Sequence, residues 1–243
     1  MKKICICLLY TGLTLFVSCM ETGKPLNSAV NFEMTTIEQN SSDPDSTCKI
    51  LIKYFTPIDA PQYLKDSIMK HTGLLFASWF NISNKLDIEM SVKNFVNEQV
   101  KHVFKLEILP KDVYQNNRII SFTYNWFLDR EGVRKNFGKY CFVLNMKDGS
   151  RIVPDNLTVS DKQEFLKMAE IEFKKQSGMN PDEKMYELYR FKDNVFQLSD
   201  TFAFTASGLV FYYNPDDIAP YSAGLITLLL PRENVEAFMD FYR

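Results

Sequence analysis

The sequence predicts an α+β fold of mostly antiparallel sheets with helices packed on one face, divided into two small subdomains. Two observations carry this. Ile120, Phe122, Tyr124, Trp126 and Leu128 alternate strictly with Ser121, Thr123 and Asn125, the period of a strand with one buried face. Before and after this strand, apolar residues recur at helical spacing, and strands and helices mix without the regular alternation of a parallel sheet.

In chain order, Ile50, Ile52 and Tyr54 alternate with Leu51, Lys53 and Phe55 and give a first strand over Lys49 to Phe55, stopped by Pro57. Leu64, Ile68, Leu75 and Trp79 mark one face of a helix beginning near Pro61. Ile88, Val92, Phe95, Val96, Gln99 and Val103 mark a second, with a break over Asn81 to Lys85. After the Ile120–Leu128 strand, Asp129 to Gly132 reads as a turn into a strand over Tyr140 to Met146. Lys147-Asp-Gly-Ser150 reads as a tight hairpin turn, because Asp-Gly tolerates positive φ. Val159 to Lys175 returns to helical period, Gly178 to Pro181 breaks it, and a short helix is expected around Asp182 to Tyr189. Short strands follow at Val195–Leu198, Thr201–Thr205, Leu209–Tyr213 and Leu225–Leu230, and Pro231 opens a last helix with Val235, Phe238 and Met239 on its apolar face.

The amino terminus reads as an address. Lys2 and Lys3 precede an apolar run from Ile4 to Val17, shorter than the about 20 residues that span a bilayer, which fits the core of a signal peptide. The run ends at Leu15-Phe16-Val17-Ser18-Cys19, which resembles a bacterial lipobox. That resemblance implies a lipoprotein signal peptide over residues 1–18 and lipidation of Cys19, although Phe16 stands where the motif usually carries leucine. Residues 19–45 are rich in Thr, Ser, Asn and Asp and read as a flexible tether, since so little apolar surface cannot offset the entropy of ordering. The folded body is expected from residue 46, as one subdomain over 46–145 and another over 146–243.

The formal charge of −2 excludes a nucleic-acid footprint. It is uneven: residues 20–145 carry 15 basic and 14 acidic side chains, while 146–243 carry 11 and 16, so a basic partner would prefer the second half. Of five cysteines, Cys5 and Cys7 belong to the signal peptide and Cys19 to the lipidation site. Cys48 and Cys141 remain; they could form a disulfide in an oxidising compartment or stay as two buried thiols, since pairing needs Cα atoms within about 7 Å. With only His71 and His102 beside them, no spacing fits a metal site, and no cofactor is expected.

One segment is more specific. Phe204-Thr-Ala-Ser-Gly-Leu-Val-Phe-Tyr-Tyr-Asn-Pro-Asp-Asp-Ile-Ala-Pro-Tyr-Ser-Ala-Gly224 joins an aromatic strand to a sharply punctuated turn. Gly208–Pro215 and Ile218–Tyr221 resemble, in order and spacing, a domain-of-unknown-function family that forms the extracytoplasmic part of RsiV-type anti-sigma factors, which sense lysozyme. Tyr140 to Leu157 is similar to an earlier segment of the same family. Residues 47–130 resemble, in architecture, the PdaC-type domain that commonly precedes it. Asp216 and Leu225 depart from the family pattern.

The resemblance implies a lysozyme-like protein or peptidoglycan as partner, with a membrane contact through the N-terminal lipid. The candidate binding loop is Tyr213, Asn214, Asp216, Asp217 and Tyr221. The expected function is therefore a noncatalytic cell-envelope lipoprotein, periplasmic or surface-exposed. An enzyme acting on cell-wall glycan, or an accessory to a deacetylase, is the alternative, and a structural envelope-assembly lipoprotein a third. Catalysis lacks a constellation: Asp216 and Asp217 are adjacent and would point to opposite faces of an extended segment, Glu98 and His102 suit a helix-surface pair, and no nucleophile motif occurs.

Overall fold

The computed structural model describes residues 29–41, 47–77, 79–80, 88–98, 103–157, 159–239 and 241. The expected signal peptide, Cys19 and His102 lie outside the described residues.

The fold is α+β. Strands β1 (Phe32–Asn40), β2 (Cys48–Pro57), β3 (Phe104–Gln115), β4 (Ile119–Arg130), β5 (Val133–Asn145) and β6 (Arg151–Ile152) form a six-stranded mixed sheet in chain order. β2 and β3 are parallel, so their connection must cross over the sheet; α1 (Gln62–Ala77) and α2 (Ile88–Glu98) do so. The other neighbours in this sheet are antiparallel. A second, three-stranded antiparallel sheet contains β7 (Phe202–Thr205), β8 (Gly208–Tyr213) and β9 (Ile226–Pro231). Helix α3 (Lys162–Gln176) packs beside β9, and the short α4 (Arg232–Glu236) beside β8 and β9.

The two halves share a sheet. Ile120, Phe122, Phe142 and Leu144 turn one face of β4 and β5 into a core with Leu64, Ile68 and Phe76 of α1 and Val92 of α2. Their neighbours Ile119 and Val143 turn to the opposite face and join Phe165 and Phe173 of α3 with Phe202, Phe204, Phe211 and Leu228 in a second core. β4 is consequently buried on both faces from Ile119 to Tyr124, and β7 is tied to it where the Phe204 N–H donates to Ser121 Oγ at 2.9 Å. A break at 145/146 would cut this sheet, because β6 pairs with β5 beyond that point.

Five sequence expectations change. Residues 32–40, expected within the tether, form edge strand β1; Glu33, Thr36 and Glu38 are exposed while Ile37 is buried, so a strand with little apolar surface is held by pairing to β2 along its whole length. β3 was not expected, since a bulge between Pro110 and Asp112 interrupts its alternation. Val195–Leu198 is not a strand, and the helix expected around Asp182 to Tyr189 is one 3₁₀ turn, Met185–Glu187. The helix expected from Val159 begins at Lys162, where the Asp161 side chain accepts from Glu164 N at 3.0 Å and caps it. Among the described residues, no helix is long and apolar enough to cross a membrane.

Candidate functional site

Strand β8 ends at Asn214-Pro215, where proline removes the next backbone donor. The chain then closes a tight turn: Asp217 N donates to Asn214 O at 3.0 Å, and Asn214 N donates to the Asp217 carboxylate at 2.7 Å. Asp216 takes a positive φ of 74° inside it. Ile218 and Ala219 dip into the interior, and a 3₁₀ turn, Tyr221–Ala223, ends at Gly224 with φ 71°.

The loop is bolted to the first half of β5. The Asn214 side-chain amide accepts from Lys139 N at 2.7 Å and donates to Lys139 O at 3.2 Å, so it occupies both backbone groups of one residue as a neighbouring strand would. Gly138 makes room for this contact: a Cβ there would lie 2.5 Å from Asn214 Oδ1 and 2.7 Å from Trp126 Cζ2. Seven residues on, the Tyr221 hydroxyl donates to Lys135 O and its ring meets Phe137 edge-on at 6.0 Å. The Arg134 guanidinium lies 3.8 Å from the centroid of the Tyr221 ring and pairs with the Asp216 carboxylate. Cation–π stacking holds that planar group in one orientation, and about half of each partner in the ion pair remains in solvent.

Of the residues expected to form the loop surface, Asn214, Asp216, Asp217 and Tyr221 do lie together. Tyr213 does not reach it: the side chain is buried, packs against Phe173 and Phe191, and donates its hydroxyl to Gln197 O at 2.8 Å. Strand phase explains the difference. Tyr213 is in step with Leu209 and Phe211 on the core face, while Tyr212 takes the other face and carries the Lys139 ammonium 5.6 Å from its ring. Burial raises the pKa of both tyrosines, that of Tyr212 to about 12. Asp217 acts as the turn's cap; burial raises its pKa, against the lowering by the Asn214 N–H, and the neighbouring Asp216 charge raises it further.

Cys48 and Cys141 are not bridged. They sit on β2 and β5 with two strands between them, which alone separates them by about 14 Å at a strand spacing of ~4.8 Å, and Cys48 is in register with Val133 rather than Cys141, so they lie far beyond disulfide reach. Both thiols are buried; burial pushes the Cys141 pKa up to about 12, and its sulfur lies 3.8 Å from Thr123 Oγ1. Among the described residues, no group of three or more His, Cys, Asp or Glu side chains is clustered to hold a metal ion.

Sequence reasoning missed Arg134, Phe137 and Lys139, the β5 side of the arrangement, because residues 133–139 are largely polar and mostly exposed. It also missed that, among the described residues, the Asn214 contact is one of three of its kind. The Gln115 amide holds Val30 N and O at 2.9 Å each, and the Gln176 amide holds Leu229 N at 3.0 Å and Leu229 O at 2.6 Å. No spacing in a sequence marks such long-range pairs.

No curated protein matches the chain. Among the solved structures that share its fold are a DUF3298 family member from Bacteroides fragilis, with a TM-score of 0.67 at 15% identity, and one from Pseudomonas aeruginosa, with 0.61 at 12%. Each alignment covers 88% of this chain and 95% of the other. The family model described as "Protein of unknown function (DUF3298)" matches residues 152–233, which takes in α3, the three-stranded sheet and the whole loop. Residues 152–233 are therefore a DUF3298 family domain.

Proposed function

We propose that this protein is a noncatalytic cell-envelope lipoprotein that binds a lysozyme-like protein through the 214–224 loop. The observation that carries the reading is the rigidity of the loop. The Asn214 amide pair, the Tyr221 hydroxyl and the Arg134–Asp216 ion pair fix its backbone before any partner arrives, which lowers the ordering cost of association. The loop displays Asp216 and Asp217 on the more acidic half of the chain, where a basic enzyme would be steered. Lys2, Lys3, the apolar run to Val17 and Ser18-Cys19 support the envelope address and the lipid anchor.

The carboxylates of the loop suit binding better than hydrolysis. Asp216 is engaged by Arg134 and Asp217 by its own turn, so the two do not converge on one substrate position.

The test is a titration of residues 20–243 with a basic lysozyme over a range of salt. Saturable binding that weakens with salt is expected, and Asp216→Asn should weaken it about threefold to tenfold while tolerating the positive φ at that position. Failure to saturate at high micromolar lysozyme would refute the reading for that enzyme.

A further inference from the structure

The face of the six-stranded sheet turned away from α1 and α2 is met by the three-stranded sheet through β7, which packs mainly on β4 and β5. Two cross-strand rows cross this face. Glu38, Leu51, Glu107, Phe127 and Phe137 stand in direct register over β1 to β5, and Asn40, Lys49, Lys105 and Asp129 form the row beside them. Residues in register share a face and touch. The Lys105 ammonium pairs with Glu107 at 2.9 Å and lies 5.6 Å from the Phe127 ring. Phe137 is 37% exposed, and Tyr221 extends the aromatic row onto the loop. At the β1–β3 end, side chains of both rows enclose an open depression of about 120 Å³.

The chemistry of this face selects among ligands. Lys49 and Lys105 are balanced by Glu38 and Glu107, so a polyanion gains little there. The apolar groups form a line one residue wide, too narrow for the desolvated centre of a protein interface. Sugar rings have apolar C–H faces that lie on aromatic side chains and hydroxyl edges that hydrogen-bond carboxylates, amides and ammonium groups. The spacing of neighbouring strands, ~4.8 Å, is close to the length of one sugar unit in an extended chain.

We propose that this face binds a linear, uncharged saccharide chain lying across the strands. Phe127 and Phe137 lie beneath successive rings, and Glu38, Glu107 and Lys105 hydrogen-bond the ring substituents. This rests on the binding rather than the catalytic reading of the protein, and it names a surface separate from the Asp216 side of the loop.

The test is calorimetric titration of residues 20–243 with β-linked hexamers of N-acetylglucosamine and of glucose. Saturable binding of at least one hexamer is expected. Phe127→Ala should weaken it about tenfold, while Phe127→Tyr, which keeps the ring, should stay within about twofold of the wild type. Glu107→Gln, which keeps the shape of the row, should weaken it about threefold, so the test survives a poorly folded Phe127→Ala chain. Glu107→Gln should leave lysozyme binding within about twofold of the wild type, which separates this surface from the lysozyme reading. Absence of saturation with both hexamers, or equal affinity in the wild type and a folded Phe127→Ala or Glu107→Gln chain, would overturn the proposal.

Discussion

Asn214 does with one side chain what a strand does with its backbone. Its amide satisfies Lys139 N and O together, and alanine would leave both without that partner at the junction of two elements. Asn214→Ala is expected to cost about 1–3 kcal/mol in urea unfolding. Asn214→Asp should recover little of this, because the carboxylate loses the donor to Lys139 O and adds a charge beside Asp217. His71 is the other telling residue. It is buried on α1 against the Phe142 ring, with Nδ1 lacking a hydrogen-bond partner; burial first, then the Arg151 and Lys70 cations, lower its pKa from 6.5 to about 4. The folded pKa lies below the unfolded one, so the unfolded chain binds the extra proton between these values. Stability is full above pH 6.5 and falls as pH drops through this window toward 4, by on the order of 2–3 kcal/mol. His71→Leu should flatten that segment of a stability–pH profile, and an unchanged slope would contradict the assignment.

At the scale of elements, Gly138 decides whether β5 and the loop can meet. A Cβ at that position would press on Asn214 Oδ1 and the Trp126 ring, so Gly138→Ala is expected to destabilise by about 1–3 kcal/mol and to loosen the loop more than the core, as loss of amide protection over 214–224 would show. What was legible in the sequence follows the same division. β4 declared itself because one face is wholly apolar, and α1 because Leu64, Ile68 and Leu75 repeat on one stripe. β1 is an edge strand with few apolar residues, and the first half of β5 runs beyond the core, so in both the alternation is too sparse to read. The loop's turn chemistry was readable from Asn214-Pro215 and Gly224, but its attachment to Lys139, Lys135 and Arg134 was not, since those partners lie about 75 to 90 residues away in the chain.

For the whole molecule, one six-stranded sheet serves two cores, with α1 and α2 on one face and the DUF3298 segment built against the other. The loop closes this arrangement from the far end by binding β5. Its rigidity is thus a product of both halves, and a partner seated on it would contact the 214–224 loop and the 133–139 strand together. The most direct measurement is hydrogen–deuterium exchange on residues 20–243, alone and saturated with a basic lysozyme. Slow exchange at Lys139 N and Asp217 N in the free chain, with further protection confined to 214–224 and 133–139 on binding, is the expected result. Rapid exchange of these amides in the free chain, or protection that avoids both segments, would contradict a preformed binding loop.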